Sequence, residues 1–177
     1  MRRIACVTLA LLLSALALAA CSGSKESTMP AVTSAFPTRP PATPTPTLDI
    51  PCEATERLTY HVHVRLTIVV NNQRIPVPPN TGIRNTCLFW LHTHDESGVV
   101  HVEAPSKRAF VLGQFFQVWG QPLSQTALLN NRTDAQHEIK AFVSGKSFTG
   151  DPATIPLDDL SDIVVMYGPP FPATPAP

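Results

Sequence analysis

Three histidines and three carboxylates lie within seventeen residues, in the stretch CLFWLHTHDESGVVHVE from Cys87 to Glu103. Neutral imidazole is a preferred ligand of zinc and copper, and carboxylates either complete such sites or accept protons beside them. This density of side chains therefore indicates either a metal site or a polar hairpin whose histidines are only structural.

The same stretch has the pattern of two β-strands joined through residues 95–98. A connection of even length places His92 opposite His101, and directly opposed residues share a face of the sheet. His94 and Glu103 then lie on that face too, whereas a loop one residue different in length would break the arrangement. The sequence therefore predicts a metal site in which His92, His94 and His101 are the ligands and one coordination position stays open.

A second His-x-His pair, His61 and His63, lies in the segment TYHVHVRLTIVVN at residues 59–71. Apolar and polar residues alternate from Tyr60 to Ile68, which predicts a strand with both histidines on the face opposite the apolar one. These histidines would complete the first site if the strand neighbours the hairpin, or they would form a separate copper-type site. Only Met166 offers a thioether within the domain, so Zn(II) or Cu(II) is expected rather than a Cu(I) carrier.

Three functions are compatible with these residues. The first is a protein that binds zinc or copper for capture, delivery or sensing, which the five face-sharing histidines favour. The second is a zinc-dependent hydrolase or hydratase, in which Glu103, Asp95 or Glu96 would accept a proton from metal-bound water. The third is a metal-free structural or partner-binding domain, because His-x-His pairs also occur on solvent-exposed strands.

Two of the four cysteines, Cys52 and Cys87, lie in the expected globular part of the chain. A disulfide between them would close a loop of about 35 residues and add roughly 3–4 kcal/mol of stability in the chain-entropy estimate. The alternative is a thiolate ligand from Cys87. However, five residues separate Cys87 from His92, so the two would face opposite sides of a straight strand. We expect the disulfide.

The N-terminal segment predicts export. Residues 1–20 combine two arginines with an apolar run, as in a secretory signal peptide. The run ends in Leu-Ala-Ala-Cys, which resembles the lipobox of bacterial lipoproteins, and this resemblance implies that Cys21 is lipidated and anchors the protein to a membrane. Residues 21–51 are rich in Pro, Thr and Ser and should form a stalk, and 169–177 a disordered tail. The domain would face the extracytoplasmic side.

Residues 52–168 remain for one globular domain, which is long enough for a single core. The formal net charge is zero and no basic cluster is present, which argues against a nucleic-acid partner; a protein partner is left open. Four predicted strands, a helix with an aromatic stripe at 110–120 and two or three further strands indicate an α+β domain. We expect a mixed or antiparallel sheet with one short packed helix, β-grasp-like, or alternatively a small β-barrel or sandwich.

Three segments also resemble an uncharacterised exported family of bacteria and archaea. They are Tyr-His-x-His at 60–63, His-Thr-His-Asp-x-Ser-Gly-x-x-His-x-Glu at 92–103, and Gly-Gln-Phe-Phe-x-x-Trp-Gly at 113–120. The resemblance covers most of residues 59–123 and implies no particular activity. The His-x-His pair with a third histidine on the next strand is similar to α-type carbonic anhydrases in geometry alone.

Overall fold

The computed structural model of the protein describes residues 49–172. The predicted signal peptide, Cys21 and most of the stalk lie outside the described residues, as do positions 173–177 of the tail, and these assignments stay predictions. Within the described range, no helix combines the length and the apolar character needed to span a membrane.

Strands make up most of the regular structure in this range. In chain order they are β1 (Cys52–Glu53), β2 (Tyr60–Val70), β3 (Gln73–Ile75), β4 (Leu88–Phe89), β5 (Leu91–His92), β6 (Val99–Ala104), β7 (Leu123–Ser124), β8 (Ala127–Leu128), β9 (Asn131–Arg132), β10 (Glu138–Val143), β11 (Lys146–Phe148) and β12 (Asp162–Gly168). One α-helix, α1 (Leu112–Trp119), and a 3₁₀ turn, Pro152–Thr154, complete the elements of the described chain.

The main sheet is mixed. Its strand order is β11-β10-β12-β2-β6-β5, and β3 also pairs with β2. Among the described strands, β12 and β2 alone pair in parallel, and every other ladder is antiparallel. The predicted α+β class with a mixed sheet and one short helix is therefore confirmed, whereas the β-grasp-like arrangement stays a prediction.

The central strand β2 follows the alternation that its sequence predicts. Val64, Leu66 and Ile68 are buried, and the intervening positions are more exposed. Helix α1 packs Phe115 and Phe116 into the same core. The helix ends at Gly120, whose left-handed φ of 77° is readily adopted by a residue without Cβ.

The predicted hairpin strand is shorter than its sequence suggested. Residues 88–89 leave the hairpin as β4 and pair with β1 instead. The predicted Cys52–Cys87 disulfide is present and holds β1 beside β4, with the two Cα atoms 5.4 Å apart. The N–H of Trp90 then donates to the Pro51 carbonyl, so the regular pairing of β5 with β6 begins only at Leu91.

Candidate metal centre

Strands β2, β6 and β5 carry four histidines side by side, and His94 lies just after β5. The predicted register is confirmed, because His92 on β5 lies directly opposite His101 on β6. On the other side of β6, His63 also pairs with His101, and His61 pairs with Glu103. The strand that carries His61 and His63 therefore neighbours the hairpin, which the sequence had left open.

Four side chains converge into the first group of this centre. His92, His94, His101 and Glu103 each offer one ligand atom, and these atoms all lie within 4.8 Å of one another. The Nε2 atoms of His92 and His94 are 3.3 Å apart. Oε1 of Glu103 lies 3.5 Å from Nδ1 of His101 and 3.8 Å from Nε2 of His92.

These separations suit a tetrahedral metal ion. An ion with metal–nitrogen bonds of about 2.0–2.1 Å holds its ligands roughly 3.3–3.4 Å apart, whereas an N–H···N hydrogen bond would bring two rings to about 3.0 Å. The His92–His94 distance of 3.3 Å matches the first value. The other ligand atoms lie up to 4.8 Å apart, so they would have to move closer together around an ion.

His92 is oriented by a hydrogen bond at the far side of its ring. Its Nδ1 lies 2.9 Å from the Phe89 carbonyl oxygen, which can only accept, so Nδ1 carries the proton. In the neutral ring, Nε2 then presents a lone pair towards His94. Complete burial of His92 is the main cause that lowers its pKa, so the neutral form that binds metals is favoured.

A loop that precedes the hairpin covers His92. The N–H of Thr93 donates to the Thr81 carbonyl over 2.9 Å, and the N–H of Thr81 donates to the Thr93 hydroxyl over 3.2 Å. Gly82 lies against the hairpin with φ of 85°, and a Cβ there would come within 2.5 Å of the Leu91 carbonyl oxygen. The absence of a side chain at Gly82 therefore lets the loop lie directly against His92.

Glu103 is a buried carboxylate that lacks a full set of partners. The residue is 2% exposed, and Oε2 has no hydrogen-bond partner within residues 49–172. Burial, followed by the nearby carboxylate of Glu56, raises the pKa of Glu103. A buried anionic oxygen without a partner is unfavourable, and a bound cation would compensate it.

His101 stays neutral over most of the pH range. Burial and then the neighbouring histidines, His94 first among them, lower the pKa of His101 to about 4. A lone pair is therefore available on this ring at neutral pH, in the middle of the five histidines.

His61 and His63 lie at the more exposed edge of the centre. Nε2 of His61 is 3.3 Å from Nδ1 of His101 and also 3.3 Å from Oε1 of Glu103. His61, His63 and His101 form a second group of ligand atoms within 4.8 Å of one another. The two groups share His101.

The other predicted carboxylates lie outside both groups. Asp95 and Glu96 are exposed in the connection between the hairpin strands. Oδ1 of Asp95 accepts the Ser97 N–H over 2.9 Å, and hydrogen bonds from Ser97 are the main cause that lowers the pKa of Asp95. This carboxylate therefore shapes the turn.

Two further pairs of residues have partners outside the centre. Cys52 and Cys87 are joined as a disulfide, so Cys87 does not supply a thiolate. Nδ1 of His137 lies 2.9 Å from a carboxylate oxygen of Asp134, remote in sequence from both His-x-His pairs.

Sequence reasoning placed Glu103 on the histidine face but considered it only as a base. Its contact with three histidines depends on β2 and β5 flanking β6, which no local pattern specifies. The Phe89 carbonyl that orients His92 was missed, because a backbone acceptor leaves no trace in the residue type.

No known protein family, curated protein or solved structure matches this chain.

Proposed function

We propose that this domain binds a divalent transition-metal ion, Zn(II) or Cu(II), through His92, His94, His101 and Glu103, for capture, delivery or sensing. The observation that carries the proposal is the convergence of three imidazoles on a carboxylate that is 2% exposed and has an unpartnered oxygen. Burial lowers the pKa of both His92 and His101, so neither ring is a ready cationic partner for Glu103. A metal ion would supply the missing positive charge.

The donor types favour Zn(II) or Cu(II) over Cu(I). The first group offers imidazole nitrogen and carboxylate oxygen, which suit these divalent ions, whereas Cu(I) prefers sulfur. Both cysteines of the domain are consumed by the Cys52–Cys87 disulfide.

Binding is favoured over hydrolysis or hydration by the positions of the carboxylates. Zinc hydrolases commonly place a carboxylate that is not a ligand beside the metal as proton acceptor. Glu103 lies within the ligand group, and Asp95 accepts a hydrogen bond in an exposed turn. A metal-free structural domain would leave the buried Oε2 of Glu103 without a partner.

The proposed cellular position is the extracytoplasmic face of a membrane, to which the lipid on Cys21 would anchor the protein. The supporting feature is the Leu-Ala-Ala-Cys sequence that ends the apolar run of residues 1–20. Metabolic labelling with a fatty-acid analogue should mark the wild type but not Cys21→Ala, and persistent labelling of that variant would reject the anchor.

Isothermal titration of the protein, purified without a histidine tag, tests the metal site directly. Binding of Zn(II) or Cu(II) should be weakened by each of the substitutions His92→Ala, His94→Ala and His101→Ala. The expected loss in affinity is roughly tenfold to a hundredfold or more, since removing a residue that only supports a ligand already costs that much. His137→Ala is the matched control, since this ring pairs with Asp134 away from both groups. Wild-type binding no tighter than about 1 mM would reject the site.

A further inference from the structure

We propose that a single metal ion has two overlapping positions in this centre, and that His61 is the ligand through which the ion enters and leaves. The inner position is the one assigned above to the four residues that include His92, so the proposal rests on the proposed function. The outer position is formed by His61, His101 and Glu103. The ion passes from the outer position to the inner one by exchanging ligands.

Three donor atoms form a nearly equilateral triangle at the outer position. Nε2 of His61 lies 3.3 Å from Nδ1 of His101 and 3.3 Å from Oε1 of Glu103. Nδ1 of His101 and Oε1 of Glu103 are 3.5 Å apart. These sides are close to the edge of a tetrahedral site, roughly 3.3–3.4 Å for metal–nitrogen bonds of about 2.0–2.1 Å. An ion on this triangle would therefore have three protein donors and one position for water.

The two positions share atoms of His101 and Glu103. Oε1 of Glu103 lies 3.3 Å from Nε2 of His61 and 3.8 Å from Nε2 of His92, so both rings approach one carboxylate oxygen. Nδ1 of His101 contacts this same oxygen and also His61. A neutral imidazole has a lone pair on one ring nitrogen only, and this lone pair binds one ion. The outer and inner positions are therefore alternatives for a single ion.

The exposure of the side chains gives the exchange a direction. The exposed fraction falls in the order 32% for His61, 18% for His101, 3% for Glu103 and 0% for His92. An ion can thus bind first at His61 and move inward while His101 and Glu103 stay bound. His94 is also exposed, but its 3.3 Å contact is with the buried His92, whereas His61 contacts both shared atoms. The inner position offers one more protein donor, so the ion rests there at equilibrium.

Rapid-mixing kinetics with Zn(II) on the full chain, purified without a histidine tag, test this route. Transfer of the ion from the loaded protein to excess chelator gives the dissociation rate, and uptake in competition with a fluorescent zinc indicator gives the association rate. His61→Ala should slow both rates by about tenfold and leave the Kd measured by calorimetry unchanged, because a residue that acts only on the route changes the barrier equally in both directions. His61→Gln should behave as His61→Ala, and His137→Ala as the wild type.

The outcomes separate this proposal from the function on which it rests. Wild-type rates in both His61 variants would overturn the route in favour of direct entry past His94, and the inner site would stand. Faster dissociation with a weaker Kd would make His61 a permanent ligand and would also overturn the route. Two Zn(II) ions per wild-type chain in native mass spectrometry would overturn the sharing of donors, and no bound ion would overturn the proposed function too. Circular dichroism checks that both variants fold, and the wild-type stoichiometry tests the shared donors without them.

Discussion

Replacing Glu103 with glutamine should stabilise the metal-free protein and reduce the additional stability that bound metal provides. The carboxylate is 2% exposed with an unpartnered Oε2, and burial raises its pKa. Glutamine has nearly the same shape but no charge to desolvate, and its amide can donate to the surrounding imidazoles. The free energy of unfolding of the metal-free protein should therefore rise by about 1–3 kcal/mol, the usual penalty of an unsatisfied buried polar group.

The same substitution should weaken stabilisation by metal. Loss of a ligand should reduce affinity by roughly a hundredfold, the upper end of the effect seen when a supporting residue is removed. With metal at a hundred times the wild-type Kd, stabilisation of about 2.7 kcal/mol would fall to about 0.4 kcal/mol. For a domain of this size, the metal-induced rise in Tm would drop from about 11 °C to about 2 °C.

Differential scanning calorimetry in the presence of a chelator and then of excess Zn(II) measures both effects. Glu138→Gln on β10 is the matched control, because this exposed carboxylate pairs with Lys140 at 3.0 Å and lies outside both ligand groups. An unchanged metal-induced rise in Tm for Glu103→Gln would refute the role of Glu103 as a ligand. A metal-free variant less stable than the wild type would refute the unfavourable burial of its charge.

Two further predictions concern pH and the disulfide. Metal-free Glu103→Gln protein should lose stability as pH falls from about 6.5 to about 4. The folded pKa of His101 is about 4 whereas an unfolded histidine protonates near 6.5, so the unfolded state takes up the proton first. This variant removes the opposing effect of the raised Glu103 pKa, and denaturant titrations that show equal stability across the window would contradict the prediction. Reduction and alkylation of Cys52 and Cys87 should lower the free energy of unfolding by roughly 3–4 kcal/mol. The same treatment should weaken Zn(II) binding, since the disulfide holds the strand whose Phe89 carbonyl orients His92. Equal affinities of the reduced and oxidised proteins would contradict this role of the disulfide in metal binding.

The hairpin register could be predicted because two independent patterns agree on it. Apolar residues on both strands share one face, and histidines share the other, so a shift by one residue would exchange them. Gly98 closes the connection with φ of 83°, and a Cβ there would lie 2.3 Å from the Leu66 carbonyl oxygen. The turn therefore accepts only a residue without a side chain at that point, and the strands that follow keep their register.

The neighbours of the hairpin could not be predicted from the same patterns. His61 and His101 are 40 residues apart, and nothing in the alternation of β2 specifies that β6 is its partner. The late start of β5 depends on the pairing of β1 with β4, two strands of two residues each that are too short for a periodic signal. The small sheet formed by β7, β8 and β9 went unpredicted for the same reason.

The sheet positions His92, His101 and Glu103, whereas His94 lies in the connection that follows β5. On β2 and β6, Val62, Val64, Val100 and Val102 are buried in the core, and they alternate with the residues of the centre. Moving His101 away from its neighbours would therefore disturb core packing on the opposite face. Most of the ordering needed for metal binding is already present in the folded chain, so little of the binding free energy is spent on it. A centre of this kind should respond to substitutions in its ligands much more than to changes in the exposed turn at Asp95.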